Sequence, residues 1–222
     1  MKFFTTISYS LLLSITWVIP QSAFSQGIDL ENIFYIANGK NGVESFRKNA
    51  DKVNIIAPQA YTISSKLIPY GSVSNEIKSI ARERSVKIMP LLVNEGFKQS
   101  VMHNLLISPK AQDKIINFMV EESIKNGYIG WQFDLEHMSY KDKDLFSNFV
   151  EKTSTSFKKN NLILSIATVA RVNDDKTDHY KNWSGVFDYE RLAESVDFIS
   201  IMTYDDPDSK GPVASMPYVR NV

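Results

Sequence analysis

The sequence contains no cysteine, which excludes a disulfide framework and any metal site built on thiolates. It also has no excess of either charge, because 25 Lys and Arg residues are balanced by 25 Asp and Glu residues. A neutral chain lacks the electrostatic attraction that draws proteins to nucleic acid or to an anionic membrane surface, so neither is an expected partner. With 43% hydrophobic residues in 222, the chain is long and apolar enough to bury one globular core.

No hydrophobic run is long enough to cross a membrane, which takes about 20 apolar residues. The mostly apolar stretch from Ile7 to Ile19 follows Lys2 near the N-terminus. Ala23 and Ser25 are small residues at the −3 and −1 positions, which is the pattern required for cleavage after Ser25. Residues 1–25 are therefore predicted to be a signal peptide that is removed on export, which leaves a secreted, periplasmic or cell-envelope protein.

Strand-like and helix-like segments alternate beyond this leader, which predicts a parallel sheet whose faces are covered by helices. No glycine-rich phosphate loop follows any strand, which argues against an open nucleotide-binding sheet. The other architecture that fits is a TIM (β/α)8-type barrel. Strands are predicted at Ile33–Ala37, Val53–Tyr61, Val86–Val93, Tyr128–Glu136, Asn161–Val169 and Val196–Tyr204, and helices at Gly42–Ala50, Ser74–Glu83, Ser108–Asn126, Lys141–Lys158 and Asp188–Glu194.

Polar residues that could take part in binding or catalysis lie at the carboxyl ends of these strands. This position favours the barrel, because barrel enzymes carry their active sites there. Asn94 follows the third strand, Glu136 ends the fourth, and Tyr204 and Asp205 end the sixth. A full barrel has eight βα units in about 250 residues, so residues 26–222 are expected to form an incomplete barrel of about six units. We expect its first and last strands to be open edges that make this form poorly soluble or inactive by itself.

The fourth predicted strand carries two carboxyl groups. Because side chains alternate along a strand, Gln132, Asp134 and Glu136 share one face, and the apolar residues between them share the other. Burying this polar face costs free energy unless partners or a substrate satisfy it. Paired acids suit general acid–base catalysis, and carboxylate oxygens also suit a divalent cation. His137 is the histidine nearest in sequence, and alternation directs it away, so no metal or other cofactor is predicted.

The segments Phe133–Glu136 on the fourth strand and Met202–Asp205 on the sixth resemble motifs of glycoside hydrolase family 18. That family includes chitinases and endo-N-acetylglucosaminidases. Its bacterial branch associated with spore germination and peptidoglycan is the most similar, through residues 86–94 and 211–217. The resemblance covers roughly residues 33–222 and implies a TIM barrel.

The chain departs from the family pattern at three positions. In the fourth-strand pattern D-G-x-D-x-D-x-E, Ile129 replaces the first Asp and Gln132 replaces the second, whereas the glycine and the last two acids match. In the sixth-strand pattern Q-x-M-x-Y-D, Ser200 replaces Gln. The loss of two acids favours an alternative to catalysis, namely an inactive carbohydrate-binding barrel. A metal-dependent hydrolase on the same barrel is a third hypothesis, and it predicts loss of activity on chelation.

The resemblance implies retaining, substrate-assisted hydrolysis of β-linked N-acetylglucosamine glycans, either peptidoglycan or chitin. Glu136 would act as general acid and base, Asp134 would orient the 2-acetamido group of the substrate, and Tyr204 would hydrogen-bond its oxygen. No cofactor is implied, and the partner is the polysaccharide itself. Further candidates for substrate binding are Gln132, Met202 and Asp205 in the motifs, Tyr35 and Asn94 at the ends of strands one and three, and Tyr180 and Trp183 after strand five.

Overall fold

The computed structural model describes residues 31–37, 39–204 and 213–222. The predicted leader and Asp205 lie outside these ranges. The described strands are β1 Ile33–Ile36, β2 Ile55–Ile63, β3 Pro69–Gly71, β4 Lys87–Ile88, β5 Leu91–Asn94, β6 Gly130–Asp134, β7 Ile163–Val169 and β8 Phe198–Met202. The described helices are α1 Lys40–Asn49, α2 Asn75–Glu83, α3 Gln99–Leu106, α4 Pro109–Asn126, α5 Lys143–Lys159, α6 Tyr189–Ser195 and α7 Met216–Asn221, with a π-helix at Tyr180–Ser184.

The sheet runs in the order β1-β2-β5-β6-β7-β8, and every neighbouring pair on this path is parallel. β3 pairs antiparallel with β2, and β4 pairs parallel with it. Helices connect successive strands of the path, and the sheet curls into a partial barrel. The predicted α/β barrel with six of its βα units is therefore confirmed. Among the described residues, β1 and β8 each pair on one side only, so the two ends of the path are not joined.

Local signals in the sequence place the helix ends. The side chains of Ser74, Ser108 and Asp188 accept backbone N–H groups of the first turns of α2, α4 and α6, as N-caps do. α4 also begins with Pro109 and ends at Gly127, which has a left-handed φ of 70°. None of the helices in the described ranges has the length and hydrophobicity of a membrane span.

The third predicted strand is interrupted in the structure. β4 and β5 are separated by Met89 and Pro90, because proline has no N–H with which to continue the ladder. The Met89 N–H still donates to the Ile56 carbonyl, and the Pro90 carbonyl accepts from the Gln132 N–H. One strand in sequence therefore becomes two short strands that both pair with β2.

The sequence prediction also lacked α3 and α7. α3 buries one apolar stripe, but it has no capping side chain at its start and follows the 3-10 turn Glu95–Phe97, so its beginning carried no recognisable signal. α7 has a serine cap and a proline in its first turn, which are signals that the sequence does contain. The buried residues of α3 are Val101, Met102, Leu105 and Leu106.

The core lies between the sheet and the helices outside it. Trp131 and Phe133, on the outward face of β6, are fully buried. The Trp131 indole N–H donates to the Met119 carbonyl in α4 at 3.1 Å, and the Phe133 ring stacks on Phe149 of α5 with 5.5 Å between centroids. This face fixes the register of β6, so the alternate residues must point into the barrel, as the sequence predicted.

Gly130 begins β6 where the backbones of β6 and β7 come closest. A Cβ atom at Gly130 would lie 1.9 Å from the carbonyl oxygen of Ile163, its partner in the register. No side chain fits at that distance, so glycine at this position allows β6 to pair with β7.

We predict that Gly130→Ala lowers the free energy of unfolding by about 1–3 kcal/mol, because an added methyl group must push the two strands apart. Gly127→Ala is the control for a positive φ, which is 70° at Gly127 and 159° at Gly130, because a Cβ atom at Gly127 meets nothing within 4 Å. Urea unfolding of both variants measures the difference. Equal losses in the two variants would mean that backbone conformation, rather than strand contact, explains the glycine at position 130.

Candidate active site

Asp134 and Glu136 lie together at the carboxyl end of β6. The Asp134 carboxyl group is half-buried and shares a side-chain hydrogen bond with Glu136. Burial raises the pKa of Asp134 above its ordinary value of 3.8, because it disfavours the charged form, and the bond to Glu136 opposes that rise. Burial is the larger of the two effects, so the Asp134 carboxyl group keeps its proton to higher pH than an exposed aspartate would.

Two cavities open beside this pair. One, of about 220 Å³, is lined by Asp134, and the other, of about 230 Å³, is lined by Glu136. Met202, the last residue of β8, and Tyr204 line both cavities. The structure therefore brings the phenol and both acids predicted from the two motifs to one place at the carboxyl end of the sheet.

Tyr35 contributes to the same place from the first strand. It lines the Asp134 cavity and is half-exposed, so its ring is accessible to a ligand. Gln59 of β2 lines this cavity too, and the sequence analysis missed it. The signal was present, since Gln59 is a polar residue inside an otherwise apolar run that precedes Tyr61.

Asn94 lies beneath the site. Its side chain is 1% exposed, and both halves of its amide bond the backbone of Glu136. Asn94 Nδ2 donates to the Glu136 carbonyl at 3.0 Å, and Asn94 Oδ1 accepts from the Glu136 N–H at 3.0 Å. The sequence placed Asn94 among the sugar contacts, whereas this geometry gives it the task of fixing the position of Glu136.

Two departures from the family pattern contact each other. Gln132 is fully buried, and its Nε2 donates to Ser200 Oγ of β8 at 3.2 Å. The Gln132 Oε1 atom is buried with no hydrogen-bond partner among the described residues. Gln132 therefore joins two strands of the barrel interior, and its place inside the barrel leaves it further from solvent than Asp134.

The Glu136 cavity has an aromatic wall. Trp183, in the π-helix, lines it together with His179 and Tyr218. His179 and Tyr218 also line a larger neighbouring cavity of about 500 Å³, so the site extends away from Asp134 on this side. Trp183, a substrate-binding candidate from the sequence, therefore lies at the site, whereas His179 was not among the candidates.

The described residues contain no group of three or more His, Cys, Asp or Glu side chains arranged to hold a metal ion. Asp134 and Glu136 have each other as partners, and the nearest histidine, His137, donates to a backbone carbonyl instead.

Comparison with known proteins gives the family and the fold. Over residues 11–216 the sequence matches the family described as Glycosyl hydrolases family 18. It is 26% identical over 182 residues to the putative sporulation-specific glycosylase YdhD of Bacillus subtilis, a match that covers 76% of this chain and 42% of that protein. It is 24% identical over 152 residues to the Cortical fragment-lytic enzyme of the same organism, covering 66% of this chain and 35% of that protein. The chain thus spans less than half the length of these two relatives.

Solved structures share the curled sheet. The spore cortex-lytic enzyme SleL of Bacillus megaterium superposes with a TM-score of 0.77 at 22% identity, over 86% of this chain and 46% of that one. A chitinase from Chromobacterium violaceum superposes with a TM-score of 0.75 at 20% identity, over 85% of this chain and 61% of that one. Since the family match extends over most of the sequence and the fold agrees with it, the chain belongs to glycosyl hydrolases family 18.

Proposed function

We propose that this chain is a glycosidase that cleaves β-linked N-acetylglucosamine glycans, either peptidoglycan or chitin. The observation that carries the proposal is the hydrogen-bonded pair Asp134 and Glu136, with Tyr204 lining the cavities of both acids. The names of the relatives support the substrate class, because they include a cortical fragment-lytic enzyme and a chitinase.

The proposed reaction uses the acetamido group of the substrate as nucleophile. Glu136 gives its proton to the glycosidic oxygen as the bond from that oxygen to the anomeric carbon breaks. The acetamido carbonyl oxygen bonds to the same carbon and forms a cyclic oxazolinium ion. Asp134 orients the acetamido N–H and balances its positive charge, while Tyr204 donates to the acetamido oxygen. Water then attacks the anomeric carbon, the bond from that carbon to the acetamido oxygen breaks and restores the acetamido group, and Glu136 takes the proton of the water. The β configuration is retained because the anomeric carbon is inverted twice.

The electrostatics of the pair fit these roles. Glu136 must be protonated when the substrate binds, and a neighbouring carboxylate favours the protonated form of an acid. Because burial raises the pKa of Asp134, its carboxylate, which the reaction needs charged, becomes neutral at a higher pH than that of an exposed aspartate. Activity is expected to fall at low pH, when Asp134 becomes neutral, and at high pH, when Glu136 loses its proton.

A second candidate function is binding of glycan without hydrolysis. It is favoured by Gln132, which cannot titrate and is fully buried where the family pattern has an acid. The two functions differ in turnover and share the binding site, so one variant separates them.

We predict that Glu136→Gln lowers the hydrolysis rate of 4-nitrophenyl chitobioside by about 10²-fold or more, because the amide cannot protonate the leaving oxygen. Release of nitrophenol measures the rate, and calorimetry measures binding of chitin oligosaccharides and of purified peptidoglycan fragments. Asn104→Ala, on the exposed side of α3, is the control for expression and folding.

The outcomes of this experiment are distinct. Hydrolysis that Glu136→Gln abolishes supports the glycosidase. Saturable binding with no turnover by the unmodified chain supports the binding barrel and overturns the proposal. Hydrolysis that survives Glu136→Gln but stops on addition of a chelator supports the metal-dependent hydrolase.

We predict that Asn94→Ala lowers kcat by about tenfold or more and changes KM little, because Glu136 loses both backbone bonds and moves from its place. Asn94→Asp keeps the acceptor for the Glu136 N–H but places an oxygen against the Glu136 carbonyl oxygen, so its kcat should also fall. Asn126→Ala removes an asparagine amide from α4, remote from the site, and is the matched control. A raised KM with an unchanged kcat would instead make Asn94 a sugar contact.

We predict that Gln132→Asp moves the alkaline limb of the kcat/KM profile to higher pH. A third carboxyl group close to the pair disfavours further ionisation, so Glu136 keeps its proton longer. Gln132→Asn has the same size as the aspartate and no titratable group, which makes it the matched control. Superimposable pH profiles for the two variants would show that position 132 does not couple to the acid pair.

A further inference from the structure

His137 directly follows Glu136 and has an unusual backbone. Its φ is 52°, in the left-handed region that few residues other than glycine adopt. The neighbouring loop after β5 contains two more such residues, Gly96 at 59° and Phe97 at 48°. Left-handed residues persist in functional loops where the surrounding contacts hold them, so the contacts of His137 are informative.

Three hydrogen bonds join these two loops. Asn94 makes two of them with the backbone of Glu136, and His137 Nδ1 makes the third with the Phe97 carbonyl oxygen at 2.8 Å. A carbonyl oxygen can only accept, so Nδ1 carries the proton and the plane of the imidazole ring is fixed. The backbone of the acid is therefore held on both sides, at Glu136 by Asn94 and at His137 by Phe97.

The second contact of the His137 imidazole is with an aromatic ring. The His137 ring stacks on Trp183, with 4.6 Å between centroids and 22° between planes. Trp183 is part of the π-helix and lines the Glu136 cavity. His137, on the loop that carries the acid, therefore contacts both the loop after β5 and the wall of the cavity that Glu136 lines.

We propose that His137 is a positioning residue with two separable tasks, an inference that rests on the proposed role of Glu136. Its hydrogen bond to Phe97 fixes the acid for proton transfer. Its stacked ring supports the Trp183 indole, against which a sugar ring of the glycan packs beside Glu136.

Two substitutions separate these tasks. Asn tolerates left-handed φ and keeps an N–H donor near the place of Nδ1, but it cannot stack on Trp183. His137→Asn should therefore keep kcat within about twofold and raise KM for a chitin pentasaccharide about three- to tenfold, as loss of an aromatic contact does. Phe keeps the stack and loses the donor, so His137→Phe should lower kcat about tenfold or more and leave KM nearly unchanged.

Two controls isolate the stack. Trp183→Ala should raise KM at least as much as His137→Asn. The double variant of Trp183→Ala and His137→Asn should have the same KM as Trp183→Ala alone, because His137 acts on the sugar only through Trp183. His103→Asn is the matched histidine control, since His103 lies on α3 and bonds Asp142 instead. It should leave both kinetic parameters unchanged.

Binding provides a readout that does not need turnover. In the Glu136→Gln background, adding His137→Asn should weaken calorimetric binding of the pentasaccharide three- to tenfold, while adding His103→Asn should not. Unchanged binding overturns the stacking task, and a kcat of His137→Phe within twofold of the unmodified chain overturns the positioning task. If the unmodified chain does not hydrolyse glycans, the proposed function fails, and the binding comparison still decides whether His137 supports the sugar wall.

Discussion

The paired hydrogen bonds between the Asn94 amide and the Glu136 backbone are the constraint on which the site depends. β6 ends at Asp134, so Glu136 lies beyond the end of the strand. Asn94, the last residue of β5, bonds both the N–H and the carbonyl of Glu136 from a buried position. An acid held by its main chain can present its side chain to a substrate without using the carboxyl group itself for support.

β6 carries both residues that stabilise the fold and an acid whose burial costs stability. Trp131 and Phe133 stabilise β6 through the core, whereas Asp134 pays a desolvation cost that appears as its raised pKa. A raised carboxyl pKa means that the folded chain binds the proton more tightly than the unfolded chain. The contribution of Asp134 to stability is therefore greatest in acid and declines as the pH rises from 3.8 through the raised value. The large apolar face of the same strand offsets this cost.

The features that could be predicted from the sequence are those that neighbouring residues determine. The serine caps of α2 and α4 and the alternation along β6 are properties of a few adjacent residues. They placed these two helices and Asp134, whereas Glu136, predicted on the same strand, lies beyond its end. The bonds from Asn94 to Glu136 and from Gln132 to Ser200 join residues 42 and 68 positions apart, so no local pattern shows them. The division of the third strand was missed for a similar reason, since Pro90 interrupts a ladder that only the pairing with β2 defines.

The irregular pairing along β2 shapes the barrel wall. β4 pairs with Ile55 and Ile56, β5 resumes at Gln59, and the register slips by one residue between Gln59 and Tyr61. A slip of this kind bends a strand and turns its side chains. Gln59, at the slip, lines the Asp134 cavity together with Tyr35 of β1. The lining of that cavity is therefore set in part by backbone spacing in a strand that supplies neither acid.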